Sequence, residues 1–122
     1  MPSQSHIELE RVYEEDHHGG YRVLVDRLWP RGVKKTDLKY DEWLKDVAPS
    51  DALRRWYGHE PDRYGEFAHR YRAELKAASA ADGLARLRRL AIHRRLVLLT
   101  ATKDVEHSGA EVLRKVLTRA RG

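Results

Sequence analysis

"RRLVLLTAT", residues 94–102, is the stretch on which the fold turns. Leu96 to Leu99 are apolar without alternation. A strand wetted on one side alternates apolar and polar residues, whereas a continuous apolar run is expected where both faces are covered, as in a parallel sheet. A short polar segment, "KDVEHSG", follows. From about Ser108 the chain then places Ala110, Leu113, Val116 and Leu117 on one helical face. Strand, short loop and helix in that order predict an α/β fold: a compact layered domain with a small, at least partly parallel sheet flanked by helices.

Toward the amino terminus the pattern continues. Asp82 is a candidate cap for a helix that turns Leu84, Leu87 and Leu90 or Ala91 inward and leaves Arg86, Arg88 and Arg89 largely outward. Before it, Pro61 suits a first helical turn, and Tyr64, Phe67, Ala68, Tyr71 and Leu75 recur at helical spacing as core residues. Ser50 is an N-cap for "SDALRRWYG", a short helix stopped by Gly58. Trp43, Leu44 and Val47 carry core residues in a short strand or turn. "YRVLV" reads as a second strand and "IELERVY" as an edge or half-buried one. The polar turn "EEDHHGG" between these two permits a hairpin without forcing it.

The chain has 122 residues, with 35% charged and 41% hydrophobic side chains and no cysteine. That composition suits one folded domain over residues 1–122 and excludes disulfides, thiol catalysis and thiolate metal sites. No apolar run approaches a membrane span, and the polar start "MPSQSHIELE" lacks a secretory pattern, so the cytoplasm is the expected compartment. Charge is uneven. Residues 1–61 hold 10 basic and 12 acidic side chains, and residues 62–122 hold 14 and 7. A basic second half permits attraction to nucleic acid or small anions, and a solvated arginine-rich surface explains it equally.

Two candidate loops follow strands, where α/β proteins hold their ligands. The first is "DRLWPRG". Arg27 and Arg31 are anion-binding candidates because a guanidinium gives paired, directed hydrogen bonds to phosphate or carboxylate. Asp26 orients them, Pro30 extends Trp29, and Gly32 allows a tight bend. The competing structural expectation is an Asp26–arginine ion pair locking a corner, with Trp29 in the core. The second loop offers Thr100, Thr102, Lys103, Asp104 and His107. Lys103 is a further anion ligand. Asp104 and His107, three apart, are the candidate proton-exchanging pair, with Asp104 alternatively capping the last helix. Arg54 is a further anion-binding candidate, and Arg54, Arg55 and His59 are expected either to close the pocket from one side or to be solvated. No nucleophile motif, Walker loop, dinucleotide fingerprint or metal-ligand spacing occurs, so neither metal nor cofactor is expected.

These motifs resemble the DUF488 family, specifically its short YeaO-like members. The pieces that carry the likeness are "RVLVDRLWPRG", "WLKDVAPS", "LRRWYGHEPDRYGEFAHRYRAEL" and "ATKDVEHSGAEVLRKVL", within roughly residues 11–118. The resemblance implies a compact cytoplasmic α/β domain whose biochemical activity is unassigned. By position it carries over Asp26, Arg27, Trp29, Pro30, Arg31 and Gly32, then Ser50, Arg54, Trp56, Gly58 and His59, and finally Asp104 and His107. Ser108 and Gly109 depart from the asparagine or histidine of many relatives. The residues support three functions. The first is an anion pocket, with or without turnover, for a phosphorylated or carboxylated small molecule. The second is nucleic-acid binding through Arg86, Arg88, Arg89, Arg94 and Arg95. The third is a protein-interaction module.

Overall fold

A computed structural model describes residues 7–14 and 19–119. Its centre is the apolar run of residues 96–99. β4 (Leu96–Thr100) lies between β1 (Ile7–Arg11) and β2 (Tyr21–Leu24), and β3 (Glu42–Trp43) adds to the far side of β2. The order is β1-β4-β2-β3, and every pairing is parallel. Leu98 therefore stands between Leu9 on one side and Val23 on the other. Leu96 to Leu99 are each 0% exposed, which is what their unbroken apolarity requires.

β1 and β2 do not form a hairpin, because β4 separates them. The inner position suits β4, whose side chains are apolar on both faces, better than β1 with its glutamates. The polar turn expected between β1 and β2 falls largely outside the described residues.

Helices cover one face: α1 (Asp51–Tyr57), α2 (Tyr64–Leu75), α3 (Ala78–His93) and α4 (Gly109–Arg119). Leu96 and Leu98 join Ile7, Val23 and Val25 in packing against Phe67, Tyr71, Leu87 and Leu113. α1 is capped as expected, with Leu53 N–H donating to Ser50 Oγ at 3.1 Å and Gly58 ending it at φ 54°. Pro61 begins a 3-10 turn that leads into α2. α3 starts four residues before Asp82, which is inside the helix rather than capping it. The alanines of "AASAA" are strong helix formers and extend the helix without a side-chain cap. Gly83 admits a close approach there: a β-carbon would lie 2.5 Å from Val47 Cγ1.

The other face has no helix among the described residues. Val97 and Leu99, with Val12 and Leu24, are covered by the largely irregular segment of residues 26–44, which ends in β3, through Trp29, Val33, Leu38, Tyr40 and Trp43. A buried ion pair lies on this face as well. Arg22 Nη1 meets Glu10 Oε1 at 2.7 Å, Arg22 Nε donates to the Lys39 carbonyl at 2.7 Å, and both side chains are under a tenth exposed. No helix of the described residues is long and apolar enough to cross a membrane.

Candidate functional site

Because all four strands run the same way, their carboxyl ends share one edge, and both sequence-predicted loops emerge there. Asp26 joins them. Its carboxylate accepts from Thr100 Oγ1 at 2.8 Å and from the Ala101 amide at 2.7 Å. The expected ion pair to an arginine is replaced by these two neutral donors, which tie the end of β2 to the end of β4. Burial pushes the Asp26 carboxyl up. The two hydrogen bonds and the charges of Arg54 and His59 act against that rise.

The rest of the first loop is held from within. Arg27 donates through Nε to the Pro49 carbonyl at 3.0 Å and through Nη2 to that of Ala48 at 3.3 Å. Trp29 donates to the Val33 carbonyl at 2.6 Å and meets Tyr40 and Trp43 edge-on, each at 5.4 Å. Trp43 in turn donates to the Asp26 carbonyl at 2.7 Å. Gly32 turns at φ 78°, a region open to glycine at little cost. Arg31 is exposed, and among the described residues its guanidinium makes no hydrogen bond or ion pair; Tyr13 donates to its backbone carbonyl at 3.1 Å.

In the second loop a 3-10 turn, Val105–His107, brings Asp104 Oδ2 to 2.7 Å from His107 Nδ1. The cap of α4 is Ser108 rather than Asp104: its Oγ accepts from the Glu111 amide at 3.1 Å and donates to the Val105 carbonyl at 2.7 Å. Asp104 is left to orient the imidazole, which also stands edge-on to Tyr64 with ring centres 5.1 Å apart. Tyr57 donates to the His107 carbonyl at 2.6 Å. Burial and then the charge of Asp104 raise the Tyr57 hydroxyl, which keeps it a donor at neutral pH.

α1 supplies the third wall. Arg54 Nη2 pairs with Asp51 at 3.0 Å, while its Nε is buried without a hydrogen-bond partner among the described residues. After Gly58 the chain makes a second left-handed residue, His59 at φ 57°. A non-glycine residue there costs about 1 kcal/mol or more, a strain found most often at functional positions.

Between these walls lies a pocket of about 400 Å³. Asp26, Arg27, Trp29 and Arg31 reach it from the first loop, His107 from the second, and Arg54 and His59 from the end of α1. Three arginines and one aspartate stand in its wall. Gly32, Lys103 and Asp104 are not among its wall residues; Asp104 reaches it only through His107. Sequence reasoning missed Tyr13, Leu28, Tyr57 and Phe67 in the wall. The short alternating run at Tyr13 and the helical period of Tyr57 and Phe67 signal burial, not the direction of a cavity.

Arg86 grips Glu42 through Nε at 3.1 Å and Nη2 at 2.9 Å, Arg95 holds Glu8 at 2.8 and 2.9 Å, and Arg94 covers the Tyr21 ring at 4.8 Å. Of the five arginines of the basic second half singled out for nucleic acid, Arg88 and Arg89 alone stand exposed without such a contact among the described residues. Nor do the described residues hold a group of three or more histidine, aspartate or glutamate side chains that could ligate a metal ion.

Fold and pocket together define a class: a four-stranded parallel α/β protein with an arginine-lined cavity at the carboxyl edge of its sheet. The chain belongs to the DUF488 family, and residues 6–121 match the family model described as the inactive DUF488-N3 subclade. It is similar to uncharacterised proteins of Mycobacterium tuberculosis (strain H37Rv) and Mycobacterium bovis. Each is 46% identical over 118 residues, covering 96% of this chain and 98% of the relative. The uncharacterised protein YeaO of Escherichia coli K12 is 44% identical over 108 residues, covering 88% of this chain and 92% of that one. No solved structure matches the chain.

Proposed function

We propose that this is a cytoplasmic binding protein for a small phosphorylated or carboxylated molecule, held at the carboxyl edge of the sheet. The observation that carries the reading is a cavity at which both strand-end loops and the end of α1 meet, with arginines outnumbering carboxylates in its wall. Arg31 and Arg54 supply the paired N–H donors that an anion's oxygens need. Their guanidiniums are the least satisfied in the wall. Arg27, whose guanidinium already serves two carbonyls, holds the loop in shape. His107, oriented through Nδ1 by Asp104, offers its Nε2 to the ligand as a hydrogen-bond partner or proton carrier.

Binding is favoured over turnover. Of the serine and threonine hydroxyls in the wall, that of Ser108 is engaged with the Val105 carbonyl and the Glu111 amide, and that of Thr102 makes no hydrogen bond among the described residues to the Asp104–His107 pair that would activate it. The description of the matched subclade as inactive agrees with that reading.

The test is a titration with inorganic phosphate followed by backbone amide NMR, up to about 10 mM, a range that captures millimolar affinity. Shifts are expected in residues 26–31, 54–59 and 101–109. Arg31→Gln should weaken binding at least about threefold by removing a charged donor pair, while Arg88→Gln should leave it unchanged. Silence of all three segments would sink the proposal. Equal weakening by both substitutions would mean a diffuse surface charge instead of a site.

A further inference from the structure

The pocket is larger than a bare anion requires. Cavities of roughly 300–1,000 Å³ enclose whole organic ligands, mostly through apolar wall with a few polar groups. This one, at about 400 Å³, is within that range. Its apolar surface is specific. Among the described residues three large hydrophobic side chains stand exposed, Tyr13 at 46%, Leu28 at 58% and Ile92 at 65%. The first two both line this cavity, with the buried Val25, Pro49, Phe67 and Ala110.

The exposure of Leu28 is imposed by the loop. On one side Arg27 is fixed to the carbonyls of residues 48 and 49, and on the other Trp29 is fixed to Val33. Between two anchored neighbours Leu28 is held toward solvent. Tyr13 is fixed too, since its hydroxyl reaches the Arg31 carbonyl and the Arg11 guanidinium lies 5.4 Å from its ring. An apolar lip, rigid and wet, thus borders the least satisfied cations of the wall. Exposed apolar surface of this kind, next to convergent polar groups, marks a contact waiting for a partner.

From this we infer that the ligand is an anion carrying a compact apolar body, an aryl phosphate or aryl carboxylate. Its charged end lies toward Arg31 and Arg54, and its ring lies against Leu28 and Tyr13. The inference rests on the anion-binding reading and specifies what that anion is attached to.

Calorimetric titration with three probes separates the two claims: inorganic phosphate, naphthyl phosphate and uncharged naphthol. Naphthyl phosphate should bind at least about tenfold more tightly than phosphate, from the apolar area it removes from water. Leu28→Ser should cut that advantage below about threefold, leave phosphate unchanged, and be rescued by Leu28→Met. Thermal melts, with Tyr13→Phe as a variant that keeps the ring, confirm that each protein is folded. Equal affinity for phosphate and naphthyl phosphate would overturn the inference while the anion site survived. So would an advantage that persists in Leu28→Ser. Naphthol binding as tightly as naphthyl phosphate, or no probe binding at all, would remove the anion site and this inference together.

Discussion

The two faces of the sheet solve the same problem with different materials. On the helical face, Leu96 and Leu98 are buried by amphipathic helices whose apolar positions repeat every three or four residues. On the other face, Val97 and Leu99 are buried just as fully by a segment with no repeat. That segment stays in place through side chains that donate to backbone carbonyls: Arg22 to Lys39, Trp29 to Val33 and Trp43 to Asp26. A helix satisfies its own backbone and needs only an apolar stripe. An irregular cover must find side-chain donors for its carbonyls, and here arginine and tryptophan provide them. The pocket opens where that cover meets the end of α1.

The sharpest way to break this comparison is to remove equal volumes from neighbouring residues that face opposite ways. Leu98→Ala should destabilise by about 4 kcal/mol, because four packed helices collapse poorly into the space left behind. Leu99→Ala should cost about 2 to 3 kcal/mol, since a loop cover relaxes more readily. Urea unfolding of both variants measures the difference. Equal costs, or the reverse order, would show that the irregular cover is as stiff as the helices.

A second, slightly smaller effect tests the polar side of the loop face. Arg22→Leu removes the partner of a Glu10 oxygen at 2.7 Å and the donor to Lys39 at once. The expected loss is about 3 kcal/mol, the penalty for breaking a buried pair from one side. A variant as stable as the parent would show that the pair contributes no net stability to the cover.

The smallest effect lies in pH. The Asp26 carboxyl is raised above its ordinary value near 3.8, so as pH rises the unfolded chain ionises first. The contribution of this residue to stability is therefore present at low pH and lost as pH climbs through the raised folded value. Asp26→Asn removes that dependence. Between about pH 4 and pH 7 the stability of the variant relative to the parent should shift in the variant's favour. Glu42, Asp51 and Glu111, whose carboxyls are lowered by paired arginines, lose stabilisation on acidification in both proteins and cancel in the comparison. A difference that is flat in pH would place Asp26 in water.

What could be read in advance follows the same division. The covering of β4, the Ser50 cap, the stop at Gly58 and the aromatic stripe of α2 each rest on a local rule that a short window displays. The parallel insertion of β4 between β1 and β2 does not, because strand order is set by which faces remain to be covered once the helices pack. Likewise the pairing of Asp104 with His107 followed from spacing three residues apart, whereas the role of Asp26 depended on Thr100 and Ala101, distant in sequence. Arg22 shows no local sign that its partner is Glu10. Leu28 gives no warning of exposure, since only the anchoring of both neighbours turns an apolar residue outward.

The place of β4 also bears on how the molecule is made. During synthesis the three earlier strands emerge first, yet β1 has no partner until residues 96–100 leave the ribosome, and β2 has only a two-residue companion in β3. Pairings that distant in sequence close late and slowly. A chain halted just before Leu96 would hold the residues of three strands and three helices and still lack the one insertion that makes them a sheet.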